Sequence, residues 1–474
     1  MSFYIFSISK YCLFLIFLFC IKFISAQTID STGVFTINSI TIKGNKKTKD
    51  KIIIRELVKK RNDTLNFESL KNIKKRSEQN IFNTQLFIYD TIYPTINYEL
   101  KTIDLKIVVK ERWFVFPVPI VEVQDRNFNT WWQTKDLFRL NYGFVVALEN
   151  FTGVKDRLVV LLQRGYTEKY GVSYQLPYLN KQQTLGLNAL YVFTRNNEVN
   201  YLTKDNLPQF VRSYKNYLRT EHEAKIGITH RPNLYVQTTV ELQYKNTAIG
   251  DTVVALNPNY FNDGKKQIQY LSLQYRYTFD NRDNKAYPLK GWAFDGYVTN
   301  DGFNFSENSP INNLYVIANV RKHTPLKNRF YLANLIKAKH TNIDKLSYNF
   351  NRAFGYNELI RGYEYFVMEG QRYFLSKNSL RYQIVKPKIF QPKFLKYAKQ
   401  FNTIPFYAFV NVFFDAGYVE DKFFYKNNSL VNSWQYGYGV GLDMVTYYDI
   451  VLRLEYSFNK QMQSGFFLHA TVGF

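Results

Sequence analysis

The chain has 474 residues, with 62 Lys and Arg against 38 Asp and Glu and a formal net charge of +24. Its basic residues are scattered among Asn, Tyr and Phe, without an arginine-rich helix or nucleic-acid motif, which excludes nucleic acid as the partner the charge implies. A basic surface against anionic lipid, or a charged barrel interior, fits better, and 39 Tyr with 41 Phe suit the aromatic girdles of such a barrel.

At the N-terminus, Lys10 precedes an apolar run from Tyr11 to Phe19, and Ile24-Ser25-Ala26 places a small residue before Gln27. This predicts a signal peptide over 1–26. Lys22 argues against a retained membrane helix, and Phe19 is too bulky to precede a lipoprotein cysteine at Cys20. Cys12 and Cys20 are the chain's 2 cysteines, so the mature protein has no disulfides. No later segment approaches the ~18 apolar residues of a membrane helix, so any crossing must use strands.

Residues 34–111 read as a small α+β domain. Val34–Ile42 alternates as a strand and closes at Gly44-Asn45. Thr48 is placed to cap a helix through Leu57, whose apolar face carries Ile52, Ile53 and Leu57. A second helix over about 66–83 carries Leu70, Ile73 and Ile81, and two strands follow at 87–93 and 103–111.

From Arg112 the period becomes two and stays there. Leu271, Leu273, Tyr275, Tyr277 and Phe279 alternate with Ser272, Gln274, Arg276 and Thr278. Such strands have one face for lipid and one for a polar lumen. Sixteen candidates lie near 113–123, 136–150, 154–166, 168–178, 184–196, 217–229, 233–247, 266–279, 291–301, 312–323, 329–341, 372–386, 405–418, 434–446, 449–458 and 464–474. The predicted fold is mainly β: a 16-stranded antiparallel transmembrane β-barrel over 112–474, preceded by the small domain.

Between strands eight and nine, Asp280, Asn281, Asp283 and Asn284 favour side-chain-to-backbone bonds, Pro288 fixes φ and Gly291 accepts a positive φ. Ile360-Arg361-Gly362-Tyr363 puts an arginine beside a glycine in a long polar loop. Gly437, Gly439 and Gly441 share one strand face, which suits close approach of a loop better than nucleotide binding. The final strand places Phe466, Leu468, Ala470, Val472 and Phe474 on one face.

These features resemble the BamA/TamA family, outer-membrane barrels with periplasmic POTRA domains that assemble or move proteins. The turn motif of Asp280, Arg282, Asp283, Pro288 and Gly291 matches the family's, as does the loop tip Arg361-Gly362-Tyr363, which there folds into the lumen. Residues 34–111, with Gly44-Asn45, Thr48 and Arg55-Glu56-Leu57, resemble one POTRA domain, and the terminal Phe474 resembles the C-terminal barrel signal. The resemblance implies a bacterial outer-membrane protein with its N-terminal domain in the periplasm. Its function would be to assist assembly or insertion of outer-membrane proteins; the single POTRA domain favours an accessory role. The alternatives are a secretion pore for a dedicated protein substrate and a passive or receptor-like barrel. The implied partners are outer-membrane lipid, unfolded outer-membrane or secreted clients and, through the POTRA-like domain, other assembly subunits. Nucleic acid is not among them.

No cofactor or metal is expected, because His222, His230, His323, His340 and His469 lack ligand spacing. Nor is there a nucleophile elbow, a His-Glu-x-x-His motif or a phosphate loop, so no catalytic residue is assigned and an enzyme is not expected.

Three finer expectations follow. Pro117 and Pro119 in strand one withhold N–H groups along one edge, which is placed at the seam with the final strand. The lysines and aromatics of 386–405 fit a short amphipathic helix at the inner membrane interface. In the family, the loop arginine meets an acidic residue at the position of Asp415 and a second on strand twelve. Here strand twelve reads Ser379-Leu380-Arg381-Tyr382, so Arg361 is expected to lean on Asp415 and uncharged neighbours, with Arg381 facing it in place of a second carboxylate.

Overall fold

The computed structural model describes residues 33–123, 131, 135–180, 182–303, 311–391, 404–446 and 450–471. The expected signal peptide and Phe474 lie outside the described residues. The chain divides into two compact units. The described residues through Lys43, Val58–Ser77 and Thr91–Val108 form the first; Gly44–Leu57, Glu78–Asp90 and the chain from Val109 form the second.

Strand β1 (Val34–Lys43) runs parallel to β4 (Thr102–Glu111), pairing Ile40 with Leu105 and Ile42 with Ile107, and antiparallel to β2 (Thr64–Asn66). With β3 (Phe87–Asn97) they form a four-stranded sheet in the order β2-β1-β4-β3. Ile103, Leu105, Ile107 and Val109 are all buried, as their alternation requires. Helices α1 (Asp50–Arg55) and α2 (Leu70–Phe82) intervene, with β2 between them. Three residues are too few to display a period of two, so β2 is invisible in the sequence. Thr48 does not cap α1. Lys49 holds the N-cap position without a side-chain bond, and the Thr48 hydroxyl instead accepts from Asn150 Nδ2 at 2.8 Å. Just past α1, Glu56 takes Arg231 on both carboxylate oxygens, at 2.8 and 3.2 Å. Burial opposes its charge, but Arg231, Lys155 and Arg55 together outweigh burial and hold the carboxyl below its ordinary range.

Asp90 in β3 behaves in the opposite way. Burial first, and the nearby Glu78 carboxylate second, push it up to about 7. Folded Asp90 therefore holds its proton to higher pH than the unfolded chain does. Its contribution to stability is full below the unfolded value of 3.8 and is lost as pH rises towards 7. In the full-length protein, hydrogen-exchange protection of β3 should fall between pH 4 and 7 once corrected for intrinsic exchange, and Asp90→Asn should flatten that fall. An identical slope in the variant would remove Asp90 as its cause.

The sixteen-stranded sheet comprises β5 (Val115–Val123), β6 (Leu140–Glu149), β7 (Arg157–Gly165), β8 (Thr167–Leu176), β9 (Leu185–Asn196), β12 (Arg219–His230), β13 (Val236–Ile249), β14 (Gln267–Asp280), β15 (Gly291–Asp301), β16 (Asn313–Pro325), β17 (Phe330–Thr341), β20 (Arg372–Phe390), β21 (Ile404–Glu420), β22 (Gln435–Val445), β23 (Val451–Asn459) and β24 (Ser464–Thr471). Each pairs antiparallel with its neighbour in sequence, and β24 and β5 stand at the two ends of the order. The strands number sixteen, as the alternation predicts, with boundaries shifted by a few residues. Two smaller pairs sit in the long loops: β10 (Glu198–Lys204) with β11 (Leu207–Arg212), and β18 (Arg352–Phe354) with β19 (Met368–Glu369). Neither pair shows in the sequence, because each is short and lies in a loop without a sustained period of two.

The barrel inverts the burial of a soluble protein. Ile226, Ile228, Leu273, Tyr275, Val298 and Val316 are exposed, while Glu221 and Asp295 are turned inward against cations. Glu221 meets Arg219 at 2.6 Å and Lys245 at 3.1 Å, and Asp295 meets Arg276 at 3.1 Å. An outward apolar belt around a charged interior is what hydrocarbon demands of a spanning sheet. Among the described residues no helix is long and apolar enough to cross a membrane.

The expected helix over 386–405 is not formed where it is described. β20 continues through Phe390 and β21 starts at Ile404, so Lys386 and Lys388 are strand residues. Continued pairing of Lys388 with Phe406 and Ile389 with Pro405 satisfies backbone groups that a helix start would leave open. Lys393, Phe394, Leu395, Lys396, Ala398, Lys399 and Phe401 lie outside the described residues.

Candidate functional site

The loop between β17 and β20 (342–371) folds back against the inner wall. Ile360, Tyr363 and Met368 from the loop join Tyr373, Leu375 and Val419 from the strands in one buried cluster. This apolar anchor lets the adjacent Arg361 stay dry: it is 6% exposed.

Asp415 in β21 is fully buried and grips Arg361 twice, with Nε donating at 2.8 Å and Nη2 at 2.6 Å. The Arg361 amide also donates to Asp415, at 3.2 Å. This forked geometry fits a guanidinium and could not be reproduced by a lysine. Ser379 Oγ accepts from Nη2 at 3.1 Å, and the guanidinium lies 3.8 Å from the Phe413 ring centroid. A desolvated cation over an aromatic face adds attraction that a solvated one lacks.

The expectation of a single carboxylate is overturned. Glu455 in β23, 1% exposed, accepts from Arg361 Nη1 at 3.2 Å. Arg381 feels the like charge of Arg361, as expected, and finds its own partners: its guanidinium stacks 4.5 Å from the Tyr287 ring centroid and Nη1 donates to the Pro288 carbonyl at 3.3 Å. The second acid thus comes from strand fifteen of the sheet rather than strand twelve. Two carboxylates satisfy the buried cation, while Lys377 at 3.7 Å from Asp415 limits the excess negative charge.

The loop reaches the wall at Gly437, the first of three glycines on β22. Gly437, Gly439 and Gly441 follow one another on its inner face. A Cβ on Gly437 would stand 1.8 Å from the Arg361 carbonyl oxygen. One on Gly439 would meet the Tyr456 carbonyl oxygen of β23 at 2.1 Å and the Phe413 ring at 2.8 Å, and one on Gly441 the Asn411 amide at 2.9 Å, all of them groups of the wall. Gly362 itself has φ +92°, a backbone that only glycine adopts cheaply. Asn459 Nδ2 donates to its carbonyl at 3.1 Å, and Tyr363 Oη donates to Gln435 at 2.9 Å, so the three residues of the tip are held individually.

This geometry has relatives. Residues 35–112 match the POTRA family, described as a surface antigen variable number repeat, and residues 150–462 match the Omp85 superfamily domain. The chain belongs to the Omp85 superfamily. Its BamA/TamA character, implied by the motifs, rests now on both matched domains and on the fold. Among solved structures it is similar to BamA from Haemophilus ducreyi lacking POTRA domains 1–3, at 15% identity and TM-score 0.51, over 92% of this chain and 84% of that one. It is also similar to CdiB from Escherichia coli, at 11% identity and TM-score 0.48, over 94% and 91% of the two chains. No curated protein matches the chain.

In this Omp85 barrel the turn motif is a structural lock. Arg282 forks onto Asp280 at 2.9 and 2.7 Å. Asp283 accepts three backbone N–H groups, those of Asn284, Leu289 and Lys290, within 3.1 Å. Gly291 has φ +114°, and a Cβ there would meet the Asn281 carbonyl at 2.8 Å. Folded this way, the turn sends Tyr287 inward, where it donates to Asp443 at 2.6 Å and packs on Phe409. Pro288 sits beside it and lends its carbonyl to Arg381. Asp443 is a residue the sequence does not flag, since nothing local connects it to a turn more than a hundred residues away.

Pro117 and Pro119 lie in β5, opposite Val146 and Phe144 of β6. Their strand is laddered to β6 from Val115 to Val123 and is therefore part of the sheet, at one of its two ends.

Proposed function

We propose that this chain is an accessory factor for assembly and insertion of outer-membrane barrel proteins. In this reading residues 1–26 are removed on export, 34–111 form a periplasmic POTRA-like domain, and 112–474 form the outer-membrane barrel. The position of β5 and β24 at the two ends of the sheet order carries the reading. A seam between the first and last strands is where a sheet can part to template an incoming strand, and prolines at 117 and 119, which lack N–H groups, limit how fully β5 can be laddered there. The 11-residue β3, at an edge of the small sheet, suits capture of an extended client by strand addition. The clients are unfolded outer-membrane or secreted proteins, other assembly subunits bind through the POTRA-like domain, and no cofactor is needed.

A loop anchored in the lumen by a buried ion pair speaks against a permanently open secretion pore. Depletion followed by outer-membrane proteomics tests the reading. Falling levels of several unrelated barrels are expected. Loss of a single exported protein would indicate a dedicated pore, and an unchanged proteome would indicate a passive or receptor barrel.

A further inference from the structure

Near the loop tip, three side chains from three segments converge. Glu364 follows Arg361-Gly362-Tyr363, Glu455 lies on β23 and His469 on β24. His469 Nε2 is 3.6 Å from Oε1 of Glu364 and 3.5 Å from Oε2 of Glu455. The donor atoms all lie within 4.8 Å of one another, and both glutamates are 1% exposed.

His469 Nε2 is shut off from solvent and makes no hydrogen bond. Its separations are too long for a charge-assisted hydrogen bond, which closes to about 2.7–2.9 Å. They suit the edge of a coordination tetrahedron: donor atoms about 2.0–2.1 Å from a zinc ion stand about 3.4 Å apart. Each carboxylate is also oriented for this. Glu455 gives Oε1 to Arg361 and turns Oε2 to His469. Glu364 accepts the Gly362 amide on Oε2 at 2.9 Å and turns Oε1 to His469.

We propose that Glu364, Glu455 and His469 form a divalent-cation site of the zinc class, which ties the lumen loop to the last strand of the sheet. An imidazole with two carboxylates favours zinc-like ions over magnesium or calcium, which prefer all-oxygen sets. Tyr365 packs on Phe467 of β24, with ring centroids 5.4 Å apart, so loop and strand are already in register there. A bound ion would fix the one loop to a strand at the end of the sheet order. Sequence spacing hides the site, because its members are 14 to 105 residues apart.

The test uses the full-length mature protein, without a polyhistidine tag, folded in detergent and stripped with a chelator. Calorimetric titration with zinc should show one saturable site, and zinc should raise the temperature at which the folded barrel loses its fast gel mobility. His469→Ala and Glu364→Gln should abolish both effects, His340→Ala should keep them, and His469→Cys should restore binding through a thiolate. Folding of each variant is read from gel mobility before titration. Absence of saturable uptake by the parent protein, or uptake unchanged in both His469→Ala and Glu364→Gln, overturns the proposal. So does a stabilisation that grows as pH falls through the histidine range and ignores zinc, which would identify a protonated imidazole bridging the two acids.

Discussion

Replacing Arg361 with alanine should destabilise the barrel by about 3–5 kcal/mol, because it leaves Asp415 and Glu455 buried side by side without their shared cation. Asp415 is fully buried and Glu455 is 1% exposed, so water cannot replace the guanidinium. Lys377 stands 3.7 Å from Asp415 and Arg453 3.8 Å from Glu455, which keeps the loss below that of wholly isolated charges. Asp415→Asn should cost a similar amount, since it removes the forked partner. Glu455→Gln should cost less, because it weakens a single contact at 3.2 Å. The double variant Arg361→Ala/Asp415→Asn should fall short of the sum, as expected for residues sharing one network. Urea unfolding followed by gel mobility measures all four, and cell growth reports the consequence. Parental midpoints and growth in both Arg361→Ala and Asp415→Asn would show that the pair carries neither folding nor function.

The sheet was legible in the sequence because a spanning strand must show a two-residue period on both faces at once. Strands such as β14, with Leu273 and Tyr275 outward and Arg276 inward, announce themselves. The lumen was less legible. Asp415 could be assigned only through the family pattern, and that pattern misled on its partner. Glu455 is opposite Gly441, which is opposite Asn411, so its approach to Arg361 depends on register across three strands and on the missing side chain between them. Residue identity on one strand does not encode that. The same holds for His469, whose role follows from pairing with β23 and from where the loop comes to rest.

Gly437→Ala should be nearly as damaging as Arg361→Ala, although it adds one methyl group and removes nothing. The new Cβ would lie 1.8 Å from the Arg361 carbonyl oxygen and 3.3 Å from the Phe458 carbonyl oxygen. Both are backbone atoms, so no rotamer change relieves the contact; the loop must lift. Arg361 then withdraws from bonds of 2.6 and 2.8 Å, and forked pairing tolerates little displacement. Overpacking of this kind costs about 1–3 kcal/mol by itself, and the weakened ion pair adds part of its own ~3–5 kcal/mol. Gly441→Ala provides the comparison. Its Cβ would meet the side-chain ends of Asn411 at 2.9–3.0 Å and Glu455 Cγ at 3.1 Å, which can rotate aside, so its effect should be smaller. If the mechanism is loop release, Gly437→Ala should cost little more in an Arg361→Ala background, where the loop has already lost its anchor. Full additivity of the two substitutions, or equal effects at Gly437 and Gly441, would mean that Gly437 serves the wall rather than the loop.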